Sequence, residues 1–314
     1  MSFSLVIPTI GKCPFLAEAV GSALDQTKAF DEILLFGNGM AADQLRRELG
    51  PGLAGRIRII SHEPRLPPHL SWNKAVESAA FSHVMLLGDD DLLLPSAHQV
   101  ACDLLKVAPL ATLGYEIINS QGRVCSRWVS ARETSTPIEF YRKLYLGGLA
   151  LMLAGVAFEK AAFTQVGGFQ PTPFKSGWFI DTDLWTRLAF HAGHVAHSQG
   201  VDWRYRINAG QLGYKAGLAD FAEELGSYLD DHRQWATGLG VPPGEILGGD
   251  VGAYSQRLLA IRAASSITNC LINRSMPSWR MLSEIVTLRA LSPKTRCRVL
   301  WRSFRQGIPA YCRN

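Results

Sequence analysis

Three consecutive aspartates, Asp89, Asp90 and Asp91, follow the apolar run VMLL at residues 84–87 and Gly88, and precede Leu92, Leu93, Leu94 and Pro95. Carboxylates packed side by side repel one another, by about 4 kcal/mol for a pair ~4 Å apart at an effective dielectric of ~20. A bound cation is the natural relief. An all-oxygen donor set suits Mg²⁺ or Mn²⁺, which commonly also hold a substrate's phosphates. All three aspartates are therefore candidate metal ligands, with a solvated acidic loop as the competing reading of the triplet taken alone.

The elements around the triplet say where it sits. The run closed by Gly88 reads as a strand buried on both faces, which puts the acids at its carboxyl end, where open α/β sheets bind ligands. Further strand-like runs at residues 4–7, 32–36 and 56–60 alternate with helix-like segments such as 15–24 and 72–80. This order predicts an α/β fold, a mostly parallel Rossmann-like sheet flanked by helices. Beyond it the sequence predicts a strand at 111–118, helical or irregular structure at 138–163, a helix at 181–191 and a short strand at 202–207. From Leu218 onward the text reads as helical, with breaks at Pro242 to Gly249 and at 275–278. Residues 1–215 are thus expected to form the α/β domain and 216–314 a helical extension.

Composition excludes several classes. With 47% hydrophobic and 19% charged residues in 314, the chain is neither disordered nor fibrous. No run reaches the ~18 apolar residues of a spanning helix, and MSFSLVIPT lacks a basic leader, so a cytoplasmic protein is expected. Cys13, Cys102, Cys125, Cys270, Cys297 and Cys312 form no C-x-x-C pair, which suits reduced thiols rather than disulfides or zinc. His191, His194 and His197 recur every third residue, but they straddle Gly193 with no Cys or Glu to complete a tetrahedral set, so no zinc site is expected there either.

The net charge of +5 is unevenly spread. From Arg274 on, nine basic residues face the single acid Glu284, so the tail carries about +8 and the body about −3. In this arm Leu300, Trp301 and Phe304 interleave with Arg296, Arg298, Arg302 and Arg305, as in an amphipathic helix lying on an anionic membrane. Peripheral attachment to the cytosolic face of the inner membrane is one reading, and a basic helix packed on protein is the other. No motif supports nucleic-acid binding.

Other motifs accompany the aspartates: LVIPT at 5–9, AVGSALDQT at 19–27, DEILLF at 31–36, and Trp72, Asn73, Lys74, Ala75, Val76 and Glu77. In this order they resemble the family 2 inverting glycosyltransferases of the GT-A fold, in a subgroup that transfers sugars onto bacterial surface glycans. The resemblance covers roughly the first two thirds of the chain. VGGF at 166–169, DTDLWTRL at 181–188 and YRINAGQ at 205–211 are similar to the family's acceptor-side motifs.

The resemblance implies transfer of a hexosyl or deoxyhexosyl group from a nucleotide-diphosphate-sugar to a hydroxyl of a glycan or lipid-linked acceptor, with inversion. A UDP-sugar is the first expectation, with dTDP, CDP and GDP as alternatives. It implies Mn²⁺ or Mg²⁺ on two of the three aspartates without fixing which, and Asp181 as catalytic base with Asp183 as its rival. Pro8, Thr9, Asn38, Trp72, Asn73, Asp89, Asp90, Arg206 and Gln211 are the implied donor-binding residues. Pro8 and Thr9 end one strand and Asn38 another, flanking a crevice for base and ribose. This sequence departs from the family at Gly37 and Asn38, where paired acids are usual, at Ile180, where a first acid is usual, and at Asn208, where a His is usual. Sugar nucleotidyl transfer and non-catalytic nucleotide-sugar binding are the alternative functions. The first would need more than Gly11 and Lys12 as its phosphate loop.

Overall fold

The computed structural model describes residues 1–146, 151–175, 177–208 and 217–272, together with Ser283. Gln211 and the basic residues of the C-terminal arm lie outside them.

The first half alternates as expected: β1 (Phe3–Thr9), α1 (Leu16–Leu24), β2 (Glu32–Asn38), α2 (Ala42–Leu49), the single turn α3 (Pro51–Ala54), β3 (Arg58–His62), α4 (Pro68–Ser78) and β4 (His83–Leu86). Every residue of β1 and β2 is buried. Such strands need helices on both faces, and the period of two sorts their side chains between them. Leu5, Ile7, Leu35 and Met85 pack with Leu16, Ala19 and Val20 of α1, whereas Val6, Leu34, Phe36 and Leu86 pack with Ala75 and Val76 of α4 on the other face.

The chain continues through β5 (Leu92–Leu93), α5 (Ala97–Leu104), β6 (Leu110–Thr112), β7 (Tyr115–Ile118), β8 (Val124–Trp128), β9 (Thr134–Ser135), α6 (Pro137–Leu146) and β10 (Val156–Glu159). Then come α7 (Lys160–Gln165), α8 (Ile180–Ala192), β11 (Val195–His197) and β12 (Trp203–Arg206). An eight-stranded sheet runs β3-β2-β1-β4-β10-β6-β11-β9, and a smaller one runs β5-β12-β7-β8. Strands β3, β2, β1 and β4 are mutually parallel, β10 is antiparallel to both β4 and β6, and β11 is parallel to β6. The fold is therefore α/β, with a mostly parallel sheet flanked by helices, as expected.

Two local expectations change. The strand expected at 111–118 is two strands in different sheets. The break falls at Gly114, whose N–H bonds Asp202 Oδ2 at 3.1 Å and where a Cβ would lie 2.0 Å from the carbonyl oxygen of Gly200. Inside the stretch read as helical or irregular, 138–163, lies β10, only four residues long yet central to the sheet.

By contact density the chain forms two compact units. The first comprises Met1–Ile117, Ser126–Pro171 and Ile180–Arg206; the second comprises Ile118–Cys125, Thr172–Phe179 and the chain from Ile207. The second contains α9 (Leu218–Gly238), a 3₁₀ segment (Pro243–Gly249) and α10 (Val251–Ile272). In it Phe174, Trp178 and Phe179 pack against Phe221 or Tyr228 of α9, and the Arg262 guanidinium lies 5.8 Å from the Trp178 ring and 5.7 Å from that of Phe221. No described helix is long and apolar enough to cross a membrane.

Candidate active site

The aspartates form a turn directly after β4. The N–H of Asp91 bonds the Gly88 carbonyl at 3.2 Å, and a Cβ on Gly88 would lie 2.6 Å from Asp91 Oδ2 and 3.0 Å from Asp90 Oδ1. Glycine is thus what lets two carboxylates fold back over the strand end. Thr9, the last residue of the neighbouring β1, donates its hydroxyl to Asp89 Oδ2 at 2.5 Å, and its Oγ1 accepts the Gly11 N–H at 2.9 Å. Pro8 precedes it, buried in β1.

The electrostatics are those of a crowded anionic turn. Burial pushes Asp89 up to about 6, with the charge of Asp90 adding to the effect and the Thr9 bond opposing it. Asp91, 3% exposed, is held well above the usual carboxylate range by burial and then by Asp90, against the pull of the Arg206 N–H. Cys13 donates its thiol to the Asp89 carbonyl at 3.2 Å, and burial, reinforced by the Asp89 charge, pushes it up to about 12, so it stays a protonated donor.

Strand β12 closes the turn from the other side. It pairs antiparallel with β5, Trp203 opposite Leu93 and Arg204 opposite Leu92, so the register carries Arg206 back to the aspartates. The backbone N–H of Arg206 donates to Asp91 Oδ1 at 2.9 Å and its Nε donates to the Asp90 carbonyl at 2.8 Å. Its Nη2 reaches Glu18 Oε2 of α1 at 2.8 Å, and its Cζ lies 4.1 Å from the centre of the Phe15 ring. Glu18, Phe15 and Cys13 were not among the residues expected from sequence. Nothing in their local text marks them, because only the fold brings α1 to the turn.

Topology brings Asp181 to the same edge. Helix α8 leads into β11, and β11 runs with β6, which runs with β4 through the intervening antiparallel β10. A helix that returns the chain before such a strand starts at the edge where β1, β2 and β4 end. Asp181 and Asp183 occupy its first turn, where the helix dipole favours acids. Asp181 Oδ1 accepts the Thr182 N–H at 2.7 Å, and burial pushes its carboxyl up to about 6. Asp183 turns to Tyr145, accepting its hydroxyl at 2.5 Å.

The two asparagines of the expected donor set bond the protein's own backbone. Asn38, at the end of β2, donates Nδ2 to the Leu66 carbonyl at 2.9 Å and accepts the Leu66 N–H on Oδ1 at 2.7 Å. Asn73, on α4, does the same to Phe169, at 2.9 and 2.7 Å. Trp72 is half-buried with its ring edge-on to Phe169, 5.3 Å between centroids, and Phe169 in turn meets Trp185 of α8. Gly168, at φ +61°, would bring a Cβ within 2.6 Å of Asn73 Oδ1.

Oxygen donors at 89–91 fit a hard divalent ion, and burial first, then the charge of Asp90, raises the carboxyls of Asp89 and Asp91. Among the described residues no three His, Cys, Asp or Glu side chains converge to hold a metal by themselves. Mg²⁺ and Mn²⁺ commonly take only one or two protein carboxylates, with substrate phosphates and water as the remaining ligands. His197 is taken up elsewhere, its ring nitrogens 2.6 Å from Thr112 Oγ1 and 2.7 Å from Ser135 Oγ, and His194 meets the Val107 carbonyl.

The sequence matches no family model and no curated protein. Solved structures show its fold to be that of known sugar-nucleotide complexes. S. aureus TarS 1-349 in complex with UDP-GlcNAc matches with a TM-score of 0.58 at 13% identity, over 99% of this chain and 89% of that one. A longer TarS chain matches at 0.57 and 13% identity, again over 99% of this chain but only 54% of its own length. The mannosyltransferase PcManGT from Pyrobaculum calidifontis, in complex with GDP-Man and Mn²⁺, matches at 0.55 and 14% identity, over 98% of this chain and 86% of that one.

Proposed function

We propose that this chain is a metal-dependent inverting glycosyltransferase. It moves a hexosyl or deoxyhexosyl group from a nucleotide-diphosphate-sugar to a hydroxyl of a glycan or lipid-linked acceptor in surface polysaccharide synthesis. The observation that carries the reading is that strand direction puts the glycine-backed aspartate turn and a half-buried carboxylate at a helix start, Asp181, at the same edge of the sheet. Complexes of the same fold with UDP-GlcNAc, and with GDP-Man and Mn²⁺, support a sugar-nucleotide donor and a divalent ion.

In this reading residues 89–91 would hold Mn²⁺ or Mg²⁺, which when bound would supply positive charge for the departing diphosphate. Thr9 fixes the rotamer of Asp89 from the first strand. Asp181 takes the acceptor's hydroxyl proton as that oxygen bonds the anomeric carbon from the face opposite the diphosphate. The bond between that carbon and the phosphate oxygen breaks, its electron pair leaves with the nucleoside diphosphate, and the configuration inverts. Pro8 and Thr9 wall the donor crevice, and the end of β2 faces it. The nucleotide is a UDP derivative first, with GDP, dTDP and CDP as alternatives. The protein works in the cytoplasm or against the inner face of the membrane through its basic tail.

The test is a panel of UDP-, GDP-, dTDP- and CDP-sugars with Mn²⁺ and glycan acceptors, followed by product analysis. Release of a nucleoside diphosphate with an inverted linkage is expected, and both Asp91→Asn and Asp181→Asn should abolish it with the circular dichroism unchanged. A separate arm with nucleoside triphosphates and sugar 1-phosphates, if it released pyrophosphate and formed a sugar nucleotide, would place the protein among nucleotidyltransferases instead. Nucleotide binding without turnover by any donor would make it a binding protein.

A further inference from the structure

Arg206 is 2% exposed, yet its guanidinium bonds the Glu18 carboxylate and the Asp90 carbonyl, and its charge acts on Asp91. A buried guanidinium is tolerated when its donors are satisfied in fixed directions, and its planar fork transmits position as well as charge. Here the fork spans two elements. Nε holds the carbonyl of Asp90, Nη2 holds Glu18 on the first turn of α1, and the plane rests on Phe15 at the start of the same helix. The backbone N–H of the same residue holds Asp91 Oδ1. One residue therefore fixes the peptide between Asp90 and Asp91 and the rotamer of Asp91, and is itself fixed by α1.

We infer that Arg206 and Glu18 form a brace that sets the geometry of the aspartate turn for its divalent ion, with Arg206 acting as a positioning residue rather than as a contact to the donor. The inference rests on the proposed metal-dependent reading. Three features favour a brace over a substrate contact. The guanidinium is nearly inaccessible, two of its nitrogens are engaged by the protein's own oxygens, and its flat face is covered by an aromatic ring. Glu18 is the informative end of the pair. Its side chain is 56% exposed, so it can be changed without opening the core.

A brace and a mere charge make opposite demands on Glu18. Glu18→Gln keeps an oxygen for Nη2 but removes the charge, whereas Glu18→Ala removes both. Mn²⁺ binding is read directly from the loss of the free-ion electron paramagnetic resonance signal, with UDP or GDP present in separate arms. Loss of an outer partner of metal ligands typically weakens affinity on the order of 10–100-fold. Glu18→Ala is expected to weaken Mn²⁺ by about tenfold, Glu18→Gln by less than about threefold, and Arg206→Lys, which keeps the charge but loses the fork, at least as much as Glu18→Ala. Adding Glu18→Ala to Arg206→Lys should cost nothing further, because the two changes break one brace. Turnover in Glu18→Ala should recover at high Mn²⁺ with the donor KM unchanged, a rescue that general misfolding does not give. Wild-type affinity in Glu18→Ala, or equal loss in Glu18→Gln and Glu18→Ala, overturns the brace. If the wild-type protein binds no Mn²⁺ with either nucleotide, the metal-dependent reading itself falls, before any variant is compared.

Discussion

Asn73 grips the backbone of Phe169 at both its N–H and its carbonyl, as Asn38 grips that of Leu66. The first pair ties α4 to the turn that leads toward α8, with Trp72 and Trp185 both edge-on to the same phenyl ring. Asn73→Ala leaves a peptide N–H and a carbonyl without these partners, at a cost on the order of 1–3 kcal/mol each when buried. Chemical denaturation should show a loss of that order, while the affinity for UDP or GDP stays near wild type. A large loss of nucleotide affinity in a stable Asn73→Ala protein would instead make the side chain a ligand contact.

Gly88→Ala is a steric probe of the aspartate turn. Gly88 is not among the left-handed glycines, so alanine adds a methyl group without backbone strain, aimed at Asp91 Oδ2 and Asp90 Oδ1. Asp91 cannot swing freely aside, since Oδ1 is held by the Arg206 N–H. Turnover should fall by about 10- to 100-fold with a fold that still melts cooperatively. Unchanged turnover would mean that the carboxylate positions do not matter to the chemistry.

For Asp181, a carboxyl raised to about 6 predicts a pH profile. At saturating Mn²⁺, which holds Asp89 ionised, turnover should rise tenfold per pH unit below about 6 and level off above it. Stability moves the other way. The folded value lies above the ordinary 3.8, so the contribution is complete below 3.8 and is lost as pH rises through about 6. Asp181→Asn should therefore lose about 10²- to 10⁴-fold in rate yet match or exceed the wild type in melting temperature at neutral pH. An Asn variant that is both active and less stable would assign the residue a structural role.

His197 carries the opposite sign. Burial, and then the nearby Lys143 charge, depress it to about 4, and burial depresses His232 to about 4 as well. Their folded values lie below the ordinary 6.5, so the stability they contribute is present above 6.5 and lost as pH falls through about 4. Across that window each histidine should cost as much as ~3 kcal/mol on acidification, opposed by the gain from the raised carboxyls of Asp89 and Asp181. In His197→Gln the acid limb should be shallower by about one proton. An unchanged slope would show that His197 is not the titrating group.

The aspartate turn was legible because a buried parallel strand declares itself as a continuous apolar run and its end is where ligands bind. Asp181 was legible only through the resemblance of DTDLWTRL, since an acid in the first turn of a helix is common. Strand β10 was hidden because four residues, VAFE, carry too little period to be told from helix. The partners of Asn38 and Asn73 were hidden for a different reason. An asparagine reads alike whether it meets a ligand or a backbone, and Leu66 and Phe169 lie 28 and 96 residues away from them. The same holds for Glu18, which meets Arg206 across 188 residues.

The segment Thr172–Phe179 belongs to the second compact unit although it is strung within the first, and its rings lie against α9. Truncating the chain after β12 would strip the cover from Phe174, Trp178 and Phe179 and leave three large aromatic side chains in water, an invitation to aggregate. The C-terminal helices are thus not a detachable cassette. Any graft that exchanges them for those of another protein must carry this short upstream segment with it, and Asp181 follows only two residues later.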